Sequence, residues 1–165
     1  MNGSNSVIIR RAYEDFAQGN IPSVFAVFDP DITWHVPGHS PLSGVFTGHD
    51  QIEGFFRRTM ELSAGAFSID VHNVLADGDL VVALVTVNAQ RNEVSASFPE
   101  VHVWKMKNGK ATEFREYQGD EQREDRFWSG TGSYINWRGR YLLSRFVSAW
   151  RVTSLGDQGQ PYDNA

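Results

Sequence analysis

The chain has no cysteine among its 165 residues. That absence removes disulfide staples, zinc–thiolate sites, iron–sulfur clusters and thiol nucleophiles together, and leaves packing as the source of stability. No apolar run nears the roughly 18 residues a membrane span needs, and residues 1–10 hold no run of signal-peptide length. The expectation is a cytoplasmic protein with no membrane partner. Positive charge is also short: 15 Lys and Arg stand against 20 Asp and Glu, a formal net charge of −5. Affinity for a phosphate backbone depends on clustered Lys and Arg, so no nucleic-acid partner is expected. A Gly-rich phosphate loop, a Ser-centred nucleophile elbow and a dinucleotide fingerprint are all missing, which points to no cofactor. Nothing repeats, so solenoid architectures are excluded.

What the chain does have is 41% hydrophobic and 13% aromatic content, enough for one domain with a real core. Residues 6–18 place Ile8, Ile9, Tyr13, Phe16 and Ala17 at helical spacing, and Gly19-Asn20 closes the pattern. Asn20 and Pro22 open a second short helix that Asp29-Pro30-Asp31 ends, and a strand over 32–36 follows. Asp50 with Glu53 three residues on reads as a capping box, and Ile52, Phe55, Phe56, Thr59 and Met60 form an amphipathic stripe. From Phe67 the period changes to two. Asp77-Gly78 and Asn108-Gly109 are hairpin signals and Arg91-Asn92 a weaker one, giving four antiparallel strands near 67–75, 80–90, 94–106 and 110–118. The apolar residues 80–87 belong in the middle of the sheet, and Pro99, which cannot donate to a ladder, predicts a bulge or bend near 98–100. Helices first and a meander afterwards is an α+β arrangement, with three N-terminal helices packed on one face of a curved, mostly antiparallel sheet.

Between residues 32 and 50 a short apolar strand runs into a Pro/Gly-rich turn and then a helix, the pattern of a pocket rim carrying Trp34, His35 and His39. His35 and His39 have the i, i+4 spacing of helical metal ligands, but Pro37 and Gly38 force a turn between them, so no metal site is expected. Phe16, Phe25, Phe28, Trp34, Phe55, Phe56, Phe98 and Trp104 either line a cavity or fill a core; the sequence does not divide them. His49, beside the helix start, reads as a surface residue, and His72 as a sheet-face residue.

Across residues 5–128, the runs Ala12-Tyr-Glu-Asp-Phe-Ala-Gln-Gly-Asn20, Trp34-His-Val-Pro-Gly38, Pro41-Leu-Ser-Gly44, Gly48 through Phe56, and the hairpin His102 through Glu116 resemble the SnoaL-like branch of the nuclear transport factor 2-like superfamily. That superfamily also contains the ketosteroid isomerases. The resemblance implies a cone-shaped curved sheet with the helices in its concave face, closed by residues 120–128, and a homodimer built through the sheet. It also implies a His on the penultimate strand and an Asp general base fourteen positions later, which here are His102 and Glu116. The family's Glu-His-Trp-Asp run reads Glu113-Phe-Arg-Glu116. If the Asn108-Gly109 hairpin carries a one-residue bulge, 102 and 116 face each other; without it, 115 opposes His102. In the first case a desolvated Glu116 takes a carbon-bound proton and His102 stabilises the oxyanion; the alternative is an exposed Glu116 and a core His102. The isomerase pattern fits poorly, because Tyr13 falls one position from the isomerase Tyr and no Asp stands on the first strand.

The resemblance therefore implies an interior pocket for a small apolar organic ligand, with Trp34, His35, His39, Phe16, Phe56 and Trp104 binding it. Glu116 and His102 would isomerise or cyclise a polyketide-, steroid- or terpenoid-like carbonyl compound without a cofactor. The competing expectation is a non-catalytic ligand-binding or dimerisation module. The family-like domain spans 1–128. Residues 129–165, with four Arg and two Asp and a polar closing stretch, read as an atypical, partly disordered tail. Truncation after Ser129 is expected to leave the melting temperature nearly unchanged; loss of cooperative unfolding would show instead that the tail packs on the body.

Overall fold

A computed structural model describes residues 4–131, so the expected tail falls outside the described residues except for its first three positions. The elements run α1 (Asn5–Ala17), α2 (Ile21–Val27), β1 (Phe28–Val36), β2 (Gly44–Thr47), α3 (Gly48–Leu62), β3 (Phe67–Asp77), β4 (Leu80–Arg91), β5 (Val94–Lys107), β6 (Lys110–Gln118) and α4 (Glu121–Ser129). The six strands form one sheet in the order β2-β1-β6-β5-β4-β3. β3 to β6 make an antiparallel meander, and β1 joins its far side by parallel pairing with β6. The α+β class and the mostly antiparallel curved sheet are as expected, with α4 as a fourth helix where the sequence suggested only a covering segment.

Alternation decides which side chains enter the core. On β5, Ala96, Phe98, Glu100, His102, Trp104 and Met106 are buried while the residues between them are at least partly exposed. Opposite them Val81, Ala83, Val85, Val87 and Ala89 of β4 point the same way. α1 packs on β3 and β4 and α3 on β1 and β2, and their Ile9 and Ile52 are both fully buried. Burying such a side chain stabilises by roughly 1.5–3 kcal/mol.

Two register shifts shape the antiparallel meander. One leaves His72 of β3 outside the pairing with β4. The other pairs Lys105 with Glu113 but Met106 with Ala111, so Thr112 is the extra residue, and its hydroxyl donates to the Lys105 carbonyl at 3.2 Å. Such bulges bend a strand and raise its twist. The Asn108-Gly109 turn has both φ angles positive, 50° and 75°, as a tight hairpin requires. His102 therefore stands opposite Glu116, not Arg115.

The structure departs from expectation at several places. β1 starts at Phe28, so Asp29-Pro30-Asp31 lies within the strand and not before it; Pro30 falls where the pairing with β6 is irregular, between Phe28 and Thr33. β2 was not anticipated, because its four residues follow a Gly/Ser-rich stretch too short to show a period. α3 begins two residues before Asp50, and it is Gln51 whose side chain accepts the Thr47 N–H, at 2.8 Å. Pro99 makes no bulge: the pairing of β4 with β5 is continuous through Thr86 and Pro99. The Pro99 carbonyl accepts from Gly119 on the β6 side, and a strand residue's N and C=O face the same way, so the missing N–H is one that β4 never needed. At α4 the Asp120 carboxylate caps the Arg123 N–H at 3.0 Å, and Gly130 closes the helix in the left-handed region.

Candidate functional site

The concave face of the sheet and the helices over it enclose a cavity. Ten of its 24 lining residues are Phe, Tyr or Trp. Trp34 stacks on Phe114 with ring centres 3.7 Å apart, and Trp104 meets Trp34 edge-on at 5.5 Å. Phe56 bridges Trp34 to Phe16 at 5.6 and 5.7 Å. Each residue arrives from a different element: Phe16 from the apolar stripe of α1, Phe56 from that of α3, Trp34 from an inward position of β1 and Trp104 from one of β5.

One end of this apolar space is polar, and it is built from Tyr13, Glu100, His102, Glu116, Gln118 and Glu124. Trp104 Nε1–H donates to the Tyr13 oxygen at 3.1 Å, and that oxygen lies 2.7 Å from His102 Nδ1. His102 Nε2 in turn lies 2.9 Å from Glu100 Oε2. The Glu124 carboxyl is close enough to Glu100 and Glu116 to feel their charge. Across the hairpin, Glu116 accepts from the Gln118 amide at 2.7 Å.

Burial sets the protonation states. Desolvation pushes the Tyr13 phenol well above its ordinary range, so it keeps its proton. Desolvation, opposed by Glu116, brings His102 down to about 4, so the imidazole is neutral near pH 7. Desolvation and the neighbouring carboxyls push Glu124 up to about 12 and hold Glu100 far above the carboxylate range. Glu116 is raised by desolvation too, with His102 and the Gln118 hydrogen bond acting against it. Tyr13 already accepts from Trp104, so its proton goes to Nδ1, and the neutral imidazole then presents Nε2–H to Glu100. Both ring nitrogens of His102 are thus held by protein groups. Glu116, half-buried, is the carboxyl with open ligand space before it.

The structure brings Glu116, His102, Trp34, Phe16, Phe56 and Trp104 around one cavity. It does not bring His35 or His39 there. His35 alternates with the inward Trp34 and Val36, so its side chain takes the outer face of the sheet. There burial and then Arg115 lower its pKa, with Glu113 opposing. His39 is exposed beyond the strand end, its backbone N–H donating to Asp125 Oδ1 at 2.8 Å and its ring 3.6 Å from Oδ2. Two clusters could hold a metal ion among the described residues, neither built on a His35–His39 pair: Glu100, His102 and Glu116 inside, and His39, Glu121 and Asp125 at the surface.

Sequence reasoning missed Glu100, Glu124, Gln118 and the role of Tyr13. The signals were periodic. Glu100 shares the inward parity of Phe98, His102 and Trp104 on β5, Glu124 precedes Phe127 and Trp128 by three and four positions on α4, and Tyr13 lies on the Ile9–Phe16 stripe.

Residues 9–114 match the family model of the SnoaL-like domain. The chain belongs to the SnoaL-like domain family. Among its relatives is the uncharacterized protein Rv0034 of Mycobacterium tuberculosis, 27% identical over 123 residues that cover 74% of this chain and 94% of the relative. Among solved structures it is similar to Bal32a from a soil-derived mobile gene cassette, at 29% identity and TM-score 0.72 over 75% of this chain and 95% of that one. An NTF2-like protein of unknown function from Burkholderia pseudomallei shares 28% identity with TM-score 0.69, over 76% of this chain and 98% of its own. The SnoaL-like domain here thus has the NTF2-like fold, whose members bind ligands or act as isomerases and cyclases.

The buried groups make stability depend on pH with a definite sign. His102 titrates at about 4 in the folded chain, below the ordinary value of about 6.5, so its contribution is lost as pH falls through that interval. Glu124 and Glu100 have folded values above the unfolded one, so their contribution is complete below about 4.5 and lost as pH rises. Between about pH 6.5 and 10 only the carboxyls of this cluster act. The urea midpoint of the wild type should then fall from pH 6.5 to pH 9, and that of Glu124→Gln should fall less; parallel declines would show that Glu124 is not buried with its proton.

Proposed function

We propose that this SnoaL-like domain binds a small, largely apolar organic molecule in its cavity and carries out cofactor-free acid–base chemistry on it. The reaction class is isomerisation or cyclisation of a carbonyl compound with a polyketide-, steroid- or terpenoid-like body. One observation carries the reading: Glu116 stands opposite a neutral His102, half-buried, with one oxygen on Gln118 and apolar ligand space before it. A carboxylate raised by desolvation is a stronger base toward a carbon-bound proton than one in water. Trp34 Nε1–H is buried without an acceptor in the protein, and a ligand oxygen would satisfy it.

In this mechanism Glu116 takes the proton next to the carbonyl and the electron pair moves onto oxygen. The Tyr13 proton is committed to His102 Nδ1, so the hydrogen bond to that oxygen comes from the unpartnered Trp34 Nε1–H. Glu116 then returns its proton to a second carbon, which completes an isomerisation with no net change of atoms. Glu116→Gln keeps size and hydrogen bonding but removes basicity. Solvent deuterium exchange at the acidic carbon of a bound ketone should drop by about 10²–10⁴-fold while affinity stays nearly intact. Exchange that survives within a few-fold would remove Glu116 as the base.

A second reading concerns the other side of the sheet and is compatible with the first. Val82, Leu84, Val101 and Val103 lie half-exposed on the outer face, flanked by Leu75 and Tyr117, which are 59% and 53% exposed. Such an apolar face marks an interaction surface, and the reading is a homodimer formed through it. Sedimentation should give twice the chain mass for the wild type and the single-chain mass for a Leu75→Glu, Tyr117→Glu variant. A monomeric wild type would overturn it.

A further inference from the structure

The cavity's polar end contains three carboxyls and no fixed positive charge. Glu100, Glu116 and Glu124 all line it, the accompanying His102 is neutral, and neither Lys nor Arg is among its lining residues. Arg123 neighbours Glu124 in sequence, but its guanidinium is placed over the Phe98 ring and on the Ser97 carbonyl, and its effect on Glu124 is the smallest of those acting. Glu124 is only 1% exposed, yet its Oε1 has no hydrogen-bond partner in the protein. A buried acceptor left unmatched costs about 1–3 kcal/mol. Glu124 lines the cavity from α4 together with Trp128.

We infer that the occupant of the cavity carries a protonated amine on its apolar body, with the ammonium seated against the carboxyls of Glu124 and Glu100 and the aromatic wall around the remainder. This rests on the reading of the cavity as the ligand site and adds the charge of the ligand to it. Ionised carboxylates only accept hydrogen bonds, and an ammonium only donates them. A hydroxyl or carbonyl would meet the same oxygens without supplying a countercharge, in surroundings where charge interactions are many times stronger than in water. Trp34, Trp104 and Phe56 line the same cavity, and aromatic rings attract a cation that lies over their faces. A divalent metal ion fits less well. It would have to displace Tyr13 or Glu100 from the ring of His102, and the rest of its shell would face aromatic carbon. A ligand with the ammonium at Glu124 leaves Glu116 free for the carbon acid and the Trp34 N–H for the carbonyl oxygen.

The cluster holds its protons when empty, so seating a cation should expel one. Amine affinity should then rise with pH, and the binding heat should depend on the ionisation enthalpy of the buffer. The test is calorimetric titration of the full chain at pH 7.5 with 2-phenylethylamine and its neutral isostere 2-phenylethanol. The amine should bind at least about tenfold more tightly. Glu124→Gln should weaken the amine by about tenfold or more and change the alcohol by less than about twofold, with the alcohol also serving as proof that the variant is folded; Glu100→Gln is the second variant if that one fails to fold. Equal or tighter binding of the alcohol overturns the amine assignment and leaves the cavity reading intact. Binding of neither probe overturns both. Displacement of the amine by Mn²⁺ or Zn²⁺ at equal concentration would also overturn it, in favour of a metal site.

Discussion

Thr112 stands unpaired on β6, and every residue beyond it is turned to the opposite face from the one a plain hairpin would give it. Because side chains alternate with a period of two, one inserted residue is enough to exchange the two faces of a strand. With it, Phe114 and Glu116 point inward and Glu113 and Arg115 outward. Without it, Arg115 would oppose His102 and a guanidinium would enter the aromatic core. The inward set then meets β1, whose parallel pairing sets Trp34 beside Phe114 and closes the aromatic wall. The outward set is consistent with this arrangement: Glu113 pairs with Lys105 at 2.9 Å and lies 3.6 Å from Arg115, with His35 at the same surface.

The second constraint is the placement of acids in a space that does not solvate them. Ionising a carboxyl there costs several kcal/mol, so Glu100 and Glu124 hold their protons instead. The chain from Trp104 through Tyr13 and His102 to Glu100 is directional, since each donor in it has one acceptor. A cavity that can store a proton at one end and take one at the other suits proton transfer, whatever its ligand.

α4 ties this chemistry to the fold. Asp120 caps it and Gly130 closes it, and between them Glu124, Phe127 and Trp128 face the interior together. Gly119, just before the helix, passes so close to β5 that an added Cβ would lie 2.9 Å from the Pro99 carbonyl oxygen. The close approach sets where the helix begins, and so where Glu124 lies. Asp125, one residue on, reaches the loop after β1 and holds the His39 backbone. The loop that looked like a pocket rim is thus pinned by the closing helix, with Ser40 and Leu42 contributing to the cavity in place of the two histidines.

Much of this was legible in the residues themselves. The helical stripes of α1 and α3, the alternation of the meander and its Asp-Gly and Asn-Gly turns follow from local rules, and the family resemblance supplied the curved sheet and the positions His102 and Glu116, with their register left open. Boundaries were less legible: β1 absorbs Pro30 and α3 starts before its expected cap, because pairing partners and a Gln51 side chain outweighed local propensity. The site divided along the same line. His35 was misplaced because it was assigned to the rim at the end of the strand expected over 32–36, whereas its alternation with the inward Trp34 and Val36 sends it outward. Glu100, Tyr13 and Glu124 lie far apart in the chain on β5, α1 and α4, and no local pattern connects them. Sequence by itself determined which faces are apolar and what types of residue lie on them. Only the tertiary structure decided which of those faces meet, because a bulge, a parallel strand pair and a closing helix are contacts between distant residues, and they turn isolated acids into a shared, buried cluster.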